Sequence, residues 1–152
     1  MATFTKMNDF VENLCQAIDI DADVLELKFT NTAFASETPN PTTDTNGIAA
    51  NATDIAYTNW TDDLTADRVL TSGTITHTQT AGVFTLDYGA DIVITATPGA
   101  LATFQFIYLF DQTVATPLDP LICAWDHGSG ITLGIGDSAT LQFNASGIFT
   151  LT

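Results

Sequence analysis

The sequence predicts a mainly β fold, an antiparallel β-sandwich of jelly-roll or Ig-like type with one N-terminal amphipathic helix. Its second half is a succession of short segments rich in β-branched and aromatic residues, with turn residues at intervals of roughly 8–12 residues. Helical periodicity is confined to the N-terminus. The 152 residues are 45% hydrophobic and 14% charged, which suffices for one hydrophobic core. We therefore expect a single domain over residues 1–152.

Residues 5–18 are predicted to form the helix. Apolar residues recur there at spacings of three and four, and Thr5 is available as the N-cap. The apolar positions are Met7, Phe10, Val11, Leu14, Ala17 and Ile18. A helix of about 14 residues is too short to be stable alone in water, so this apolar face must pack on the sandwich or on another subunit. The pattern leaves both partners open.

Acidic residues recur at every second position after the helix, at Asp19, Asp21 and Asp23. A calcium-binding loop begins with this spacing, but it also needs Gly at its sixth position and a bidentate Glu at its twelfth. Those positions hold Val24 and Thr30 here. We therefore expect a solvated turn and no metal ligands.

Apolar and charged residues alternate between Leu25 and Phe29, which is the period of a half-buried strand. From residue 31 to 52 the chain has no sustained periodicity and includes Pro39 and Pro41, which predicts a long loop or arm. In an assembly subunit, such an arm would be a natural contact with a neighbour.

The remaining strands are predicted from apolar segments between turn residues. They are 69–79, 82–88, 91–97, 102–111, 120–126, 130–134, 139–143 and 147–151. In the strongest segment, four aromatic side chains from Phe104 to Phe110 share one face, while Ile107 and Leu109 supply an apolar second face. This pattern indicates a central strand that is buried on both sides.

The sequence offers few groups for catalysis. The only histidines are His77, which we expect on a polar strand surface, and His127. Asp126, His127 and Ser129 contain the residue types of a catalytic triad, but adjacent residues on an extended segment point to opposite faces. We therefore predict no catalytic residues and no enzymatic activity.

Metal and cofactor motifs are also missing from the sequence. It contains no His-x-His, His-Glu-x-x-His or Cys-x-x-Cys pattern, and Cys15 and Cys123 are isolated, so we expect both cysteines to be free and buried. No metal, cofactor or cofactor-binding residue is predicted.

Charge excludes two classes of partner. Three basic residues against eighteen acidic ones give a formal net charge of −15, so nucleic acid and anionic membranes are not expected to bind. Adaptation to high salt is an alternative reading of the acidic excess, and a basic partner surface is another. We find neither a signal-peptide pattern nor an apolar run of membrane-spanning length, and expect a soluble product that is not secreted by a cleaved signal.

The order of segments resembles the capsid cement or decoration proteins of tailed bacteriophages. The resemblance spans nearly the whole chain and is carried by Phe4–Leu14, Val24–Ala33, Phe106–Asp111, Pro120–Gly128 and Phe143–Leu151. The chain departs from that pattern in two places. It has Gln105 where an Arg is common before the aromatic strand's Tyr, and residues 61–67 replace a Gly-rich segment.

The resemblance implies a structural protein of the virion, made in the host cytoplasm and located on the capsid surface. Its partners would be the major capsid protein and further copies of itself, in a homotrimer or other symmetric oligomer. The predicted assembly contacts lie on the helix, before it and in the arm; they are Phe4, Phe10, Leu14, Ile18, Pro39 and Pro41. In the competing interpretation, the helix only covers the sheets of its own chain and contacts no partner.

Two other functions remain open at this point. A tail or neck subunit of the virion could use the same fold. A carbohydrate-binding β-sandwich module would stack sugars on Trp60, Trp125 or Tyr57.

Overall fold

A computed structural model describes residues 2–33, 53–64, 68–70 and 75–151, and these residues are mainly β. The elements in chain order are β1 (Thr3–Lys6), α1 (Asn8–Gln16), β2 (Leu25–Thr30), β3 (Trp60–Asp62), β4 (Val69–Leu70), β5 (Ile75–Thr80), β6 (Val83–Tyr88), β7 (Ile92–Ala96), β8 (Phe104–Asp111), β9 (Leu121–Ile131), β10 (Ser138–Leu141) and β11 (Phe149–Leu151). Every strand pairing is antiparallel. The prediction of a mainly β, antiparallel chain is confirmed.

The strands form three sheets. The largest has five strands in the order β1-β9-β8-β2-β4, and the other two have three strands each, in the orders β10-β7-β3 and β11-β6-β5. Apolar side chains connect the sheets. Phe29 of the five-stranded sheet packs on Trp60 of β3 with ring centroids 4.5 Å apart. Tyr88 of β6 packs edge-on against Phe143, which follows β10.

Strand β8 occupies the middle of the five-stranded sheet, as its sequence predicts. It pairs with β2 on one side and β9 on the other, and all its residues except Gln105 are buried. Because aromatic and aliphatic side chains alternate along it, both faces of the strand exclude water. This strand fixes the positions of its two neighbours.

Strand β2 is more deeply buried than predicted. Its apolar face is inaccessible as expected, but Glu26 and Thr30 on the opposite face are also buried. Glu26 is accommodated because Arg68 places its guanidinium 2.7 Å from the carboxylate. Strand β2, which the sequence predicted to be half-buried, is therefore buried on both faces.

The helix is shorter than the predicted range 5–18. It spans Asn8–Gln16, and Met7 takes the N-cap position in an extended conformation without a side-chain cap. Thr5, the predicted N-cap, instead lies in β1 opposite Ala124. Backbone pairing of residues 3–6 with β9 satisfies more polar groups than another helical turn, so this part of the prediction is wrong.

Two predicted strands, 120–126 and 130–134, are joined in the single strand β9. The register with β8 moves from Phe106 opposite Asp126 to Phe104 opposite Ile131, which leaves residues 127–130 as a bulge. Gly128, with a φ of 84°, provides the conformation that this bulge requires. The predicted turn at 128–130 is thus a bulge within one strand.

The other predicted strands match the structure to different degrees. Strands at 82–88, 91–97, 139–143 and 147–151 correspond to β6, β7, β10 and β11. The predicted strand 69–79 corresponds to β4 and β5, with residues 71–74 outside the described residues. Strands β1 and β3 were not predicted. Most of the predicted arm, including Pro39 and Pro41, lies outside the described residues.

Candidate functional site: a groove between β9 and β10

An apolar groove of about 720 Å³ lies between β9 of the five-stranded sheet and β10 of a three-stranded sheet. Its floor reaches the buried side chains of Leu27, Phe104 and Ile107. The remaining lining residues are Ala2, Trp125, His127, Gly130, Ile131, Thr132, Ala139, Thr140, Leu141, Gln142 and Phe143. The groove therefore combines an apolar interior with polar side chains from both strands.

Trp125 is the largest side chain in this groove. Strand pairing places it between Phe4 on β1 and Ile107 on β8. The Phe4 ring meets the indole edge-on at 5.9 Å, and the Phe143 ring meets it at 5.8 Å. These contacts fix the orientation of a half-buried indole, which can offer a rigid apolar surface to a ligand or partner.

Phe4 is the most accessible of the predicted contact residues that the structure describes. It lies on the edge strand β1, beside Trp125, and 39% of its surface is exposed. An exposed aromatic ring next to an apolar groove is a frequent arrangement in protein interfaces. Phe4 and the groove together form one candidate interaction surface.

The other predicted helix contacts face the chain's own core. Phe10 is fully buried and packs edge-on against Phe149 of β11, and Ile18 is also buried. Leu14 is partly buried against the same core. While the helix is docked, these side chains pack against their own chain, as in the interpretation that the helix covers its own sheets.

The Asp126, His127 and Ser129 side chains do not have the geometry of a triad. Asp126 Oδ1 accepts hydrogen bonds from the Gln105 amide at 2.9 Å and from the Gly128 N–H at 2.7 Å. His127 Nδ1 lies 3.0 Å from the Ser129 carbonyl oxygen and 3.4 Å from its hydroxyl. In a triad, the carboxylate would bind one ring nitrogen and the nucleophile the other.

The same contacts keep Asp126 charged. Hydrogen bonds from Gln105 and Gly128 stabilise the carboxylate, and they hold the pKa of Asp126 below its usual value. A negative charge therefore lies beside the groove at neutral pH. A basic or neutral polar group on a partner would complement it better than an acidic one.

Trp60 and Tyr57, the other candidate stacking residues, are not available as a platform. Trp60 is buried against Phe29, and its indole N–H donates to Asp62 Oδ2 at 2.7 Å. Arg68 covers the Tyr57 ring, with its guanidinium carbon 3.8 Å from the centroid. Burial raises the pKa of Tyr57, so its hydroxyl stays protonated. Of the three, Trp125 lines the groove between β9 and β10.

The acidic turn at residues 19–23 bonds to its own backbone. Asp19 Oδ1 accepts from the Asp21 N–H at 3.2 Å, and Asp23 Oδ2 accepts from the Asp19 N–H at 2.6 Å. Within the ranges that the structure describes, no group of three or more His, Cys, Asp or Glu side chains is placed to hold a metal ion.

The two cysteines are free, as predicted, but they differ in burial. Cys123 is buried, and burial raises the pKa of its thiol. Cys15 is exposed near the end of the helix. The prediction of burial is wrong for Cys15 because it lies away from the helix face that carries Phe10.

Sequence reasoning singled out Trp125 but missed Ile131, Leu141 and Phe143, which lie around it. Each was assigned to a strand or its end, but their proximity depends on how two sheets face each other. The exposed edge of β1 was missed because its last two residues, Thr5 and Lys6, were assigned to the helix 5–18. A short alternating segment before the helix was the available signal.

None of the helices in the described ranges has the length and hydropathy needed to cross a membrane. Comparisons of the chain with protein-family models, curated proteins and solved structures find no match.

Proposed function

We propose that this chain is a non-enzymatic structural protein of a phage virion, a decoration subunit that binds the assembled capsid and stabilises it. The sequence resemblance to cement proteins supports the virion assignment. The observation that carries the binding role is the groove beside Trp125, with Phe4 exposed at its edge. Through this surface the chain would contact the major capsid protein.

The groove suits a protein partner for two reasons. Its apolar floor and aromatic wall resemble the central part of an interface, where buried aromatic side chains supply most of the binding energy. In addition, β1 is an edge strand with one neighbour, β9, among the described strands. A segment of the capsid subunit could add to this edge and place an apolar side chain in the groove.

The finer fold assignment belongs to the same proposal. We infer that the sheets form a β-sandwich, because Phe29 of the five-stranded sheet packs on Trp60 of a three-stranded sheet. The groove would then be the open end between the two layers. Such an arrangement leaves an apolar interior accessible at one edge, where a partner can bury it.

The acidity of the chain would limit aggregation of free subunits before they meet the shell. With a net charge of −15, free copies repel one another over long distances. Binding only to the assembled capsid would stabilise the shell by mass action. The capsid surface that receives this subunit is expected to be neutral or basic.

The test is co-sedimentation of the purified protein with capsids that lack it. We expect saturable binding at a fixed copy ratio and a higher disassembly temperature for the decorated shells. Phe4→Ala and Trp125→Ala should each weaken binding at least tenfold. Leu118→Ala, at a residue that is 55% exposed and does not line the groove, should not. Failure of the wild-type protein to bind shells, with a ring-sized oligomer in solution, would point to a tail or neck subunit.

A carbohydrate-binding role is the second candidate, because polar side chains surround Trp125. His127, Thr140 and Gln142 line the same groove and can hydrogen-bond to sugar hydroxyls, while the indole can stack on a sugar ring. Binding to a glycan array that Trp125→Ala abolishes and Trp60→Phe retains would favour this role. If the protein binds no glycan on the array but does bind capsids, the carbohydrate-binding role is excluded.

A further inference from the structure

Among the strands that the structure describes, β5 has one edge without a strand neighbour, and this edge can pair with another strand. It lies at one end of its three-stranded sheet, with β6 as its neighbour. Five of its six residues are exposed. Native edge strands are protected by charged residues, proline, bulges or shortness, but β5 has six residues, no proline, no Lys and an unbroken register with β6.

The turn before β6 determines which backbone groups point away from the sheet. Ala81 and Gly82 both have positive φ angles, of 51° and 84°, as in the two-residue type I′ turn. Such a turn makes Thr80 and Val83 a hydrogen-bonded pair, and hydrogen-bonded and non-hydrogen-bonded pairs then alternate along the hairpin. The N–H and C=O groups of residues 75, 77 and 79 therefore point toward the free edge.

We propose that β5 pairs antiparallel with β5 of a second copy, with a two-fold axis at His77. This inference does not depend on the proposed function. In this register His77 lies opposite its own counterpart, and Ile75 lies opposite Gln79 of the other copy. Thr76 lies opposite Thr78, and Thr–Thr cross-strand pairs are favourable. The two three-stranded sheets become one sheet of six strands.

Of the edge strands in the described ranges, β5 offers a second copy the longest edge without acidic residues or Lys of its own. Two chains of net charge −15 can approach only where carboxylates are few, and β5 contains none. The other edge strands without carboxylates or Lys are β4, β10 and β11, with two, four and three residues. The longest uncharged edge is β5, and its two sides are identical by symmetry.

Two acidic residues oppose the contact, because Asp21 and Asp23 line a pocket together with Ile75, Thr76 and His77. Asp21 Oδ1 lies 3.7 Å from His77 Nε2, so each copy brings a carboxylate near the two-fold axis. Salt should therefore strengthen the dimer by screening both this local repulsion and the overall charge. The contact involves few residues on each side and buries less than a standard interface of about 1,600 Å². We expect a weak dimer whose population depends on protein concentration.

Sedimentation velocity over a micromolar-to-millimolar series provides the first test. The weight-average mass should rise toward that of a dimer, and it should rise earlier at higher salt. Gln79→Pro removes one outward N–H without removing a bond to β6, so it should hold the protein monomeric across the series. Circular dichroism and thermal unfolding check that the variant remains folded. A dimer that survives Gln79→Pro in a folded protein overturns the proposal.

Cross-linking tests the register independently of proline. In a Cys15→Ser background, His77→Cys places two thiols in a directly opposed pair, whose Cα separation of about 5.5 Å is within disulfide range. Gln79→Cys is a matched control on the same face, but its counterpart lies four residues away along the strands. We expect disulfide dimers of His77→Cys at least several-fold faster than those of Gln79→Cys. Equal rates, or a monomer at every concentration, overturn the proposal.

Discussion

The buried carboxyl group of Asp111 lies at the end of β8, where the central strand leaves the sheet. Its Oδ1 accepts hydrogen bonds from the N–H groups of Thr113 and Val114, at 2.8 and 3.3 Å. Burial is the main reason that the pKa of Asp111 is raised from 3.8 to about 6, and the nearby Asp23 carboxyl raises it further. Because Asp111 Oδ2 is buried without a hydrogen-bond partner among the described residues, burial favours the neutral, protonated form of this side chain.

The raised pKa of Asp111 predicts a stability that falls as pH rises. The native state binds a proton more tightly than the unfolded state, so the free energy of unfolding should decrease between about pH 4 and pH 6 and level off above. Asp111→Asn keeps an acceptor for Thr113 and Val114 and removes the titrating carboxyl group. We expect this variant to lose most of the slope and to be at least as stable as the parent at pH 7. Urea unfolding at several pH values measures this; an unchanged slope contradicts it.

Arg68 neutralises the buried carboxylate of Glu26. The ion pair is 2.7 Å long, and the two side chains are 20% and 9% exposed. Burial raises the pKa of Glu26, while the Arg68 charge lowers it. Because an unpaired buried charge is costly, Arg68→Met should destabilise the protein by about 3 kcal/mol.

A control pair lies on the same strand. Lys28 contacts Asp54 at 3.4 Å, but the Asp54 side chain is 42% exposed, so the ion pair is partly solvated. Lys28→Met should therefore cost at most about 1 kcal/mol by loss of that pair. Adding Glu26→Gln to Arg68→Met should recover part of the lost stability. Chemical denaturation of the four proteins tests this, and equal losses for Arg68→Met and Lys28→Met would count against it.

At the scale of elements, the sequence predicts those strands whose own side chains specify them. β8 was predictable because its apolar residues alternate on both faces, and the hairpin of β5 and β6 because Ala81-Gly82 marks its turn. β1 forms because it pairs with β9, and the local sequence pattern of residues 3–6 carries no information about that distant strand. The same limit applies to the groove: Trp125 was singled out by its type, whereas its neighbours on β10 are brought there by tertiary packing.

Helix α1 should depend mainly on the Phe10 side chain for its attachment to the sheets. Phe10 is completely buried against Phe149, whereas its neighbour Val11 is 43% exposed. Phe10→Ala removes a buried ring and should destabilise the protein by about 3–5 kcal/mol, or release the helix alone. Val11→Ala should change stability by less than about 0.5 kcal/mol. Thermal unfolding and hydrogen exchange of residues 8–16 distinguish the two variants; equal effects would mean that the helix is held elsewhere.

For the whole molecule, charge is the property that distinguishes this chain most. Three basic residues oppose eighteen acidic ones, and the two ion pairs of Lys28 and Arg68 use most of the positive charge. The fold tolerates this imbalance because the carboxylates in the described ranges are mainly spread over turns and strand ends. Self-repulsion nevertheless acts on the compact state more than on the unfolded chain.

Salt should therefore stabilise the protein. The salt concentration at which the stabilisation occurs distinguishes general charge screening from adaptation to high salt. The Debye length is already about 10 Å at 0.1 M salt, so general screening should produce most of the increase in melting temperature below about 0.5 M NaCl. Adaptation to high salt would instead require molar concentrations for folding. Calcium chloride at equal ionic strength separates screening from binding. Equal melting temperatures in the two salts are expected, whereas a much larger increase with calcium would reveal a specific cation site and contradict the assignment of residues 19–23 as a turn that bonds to its own backbone.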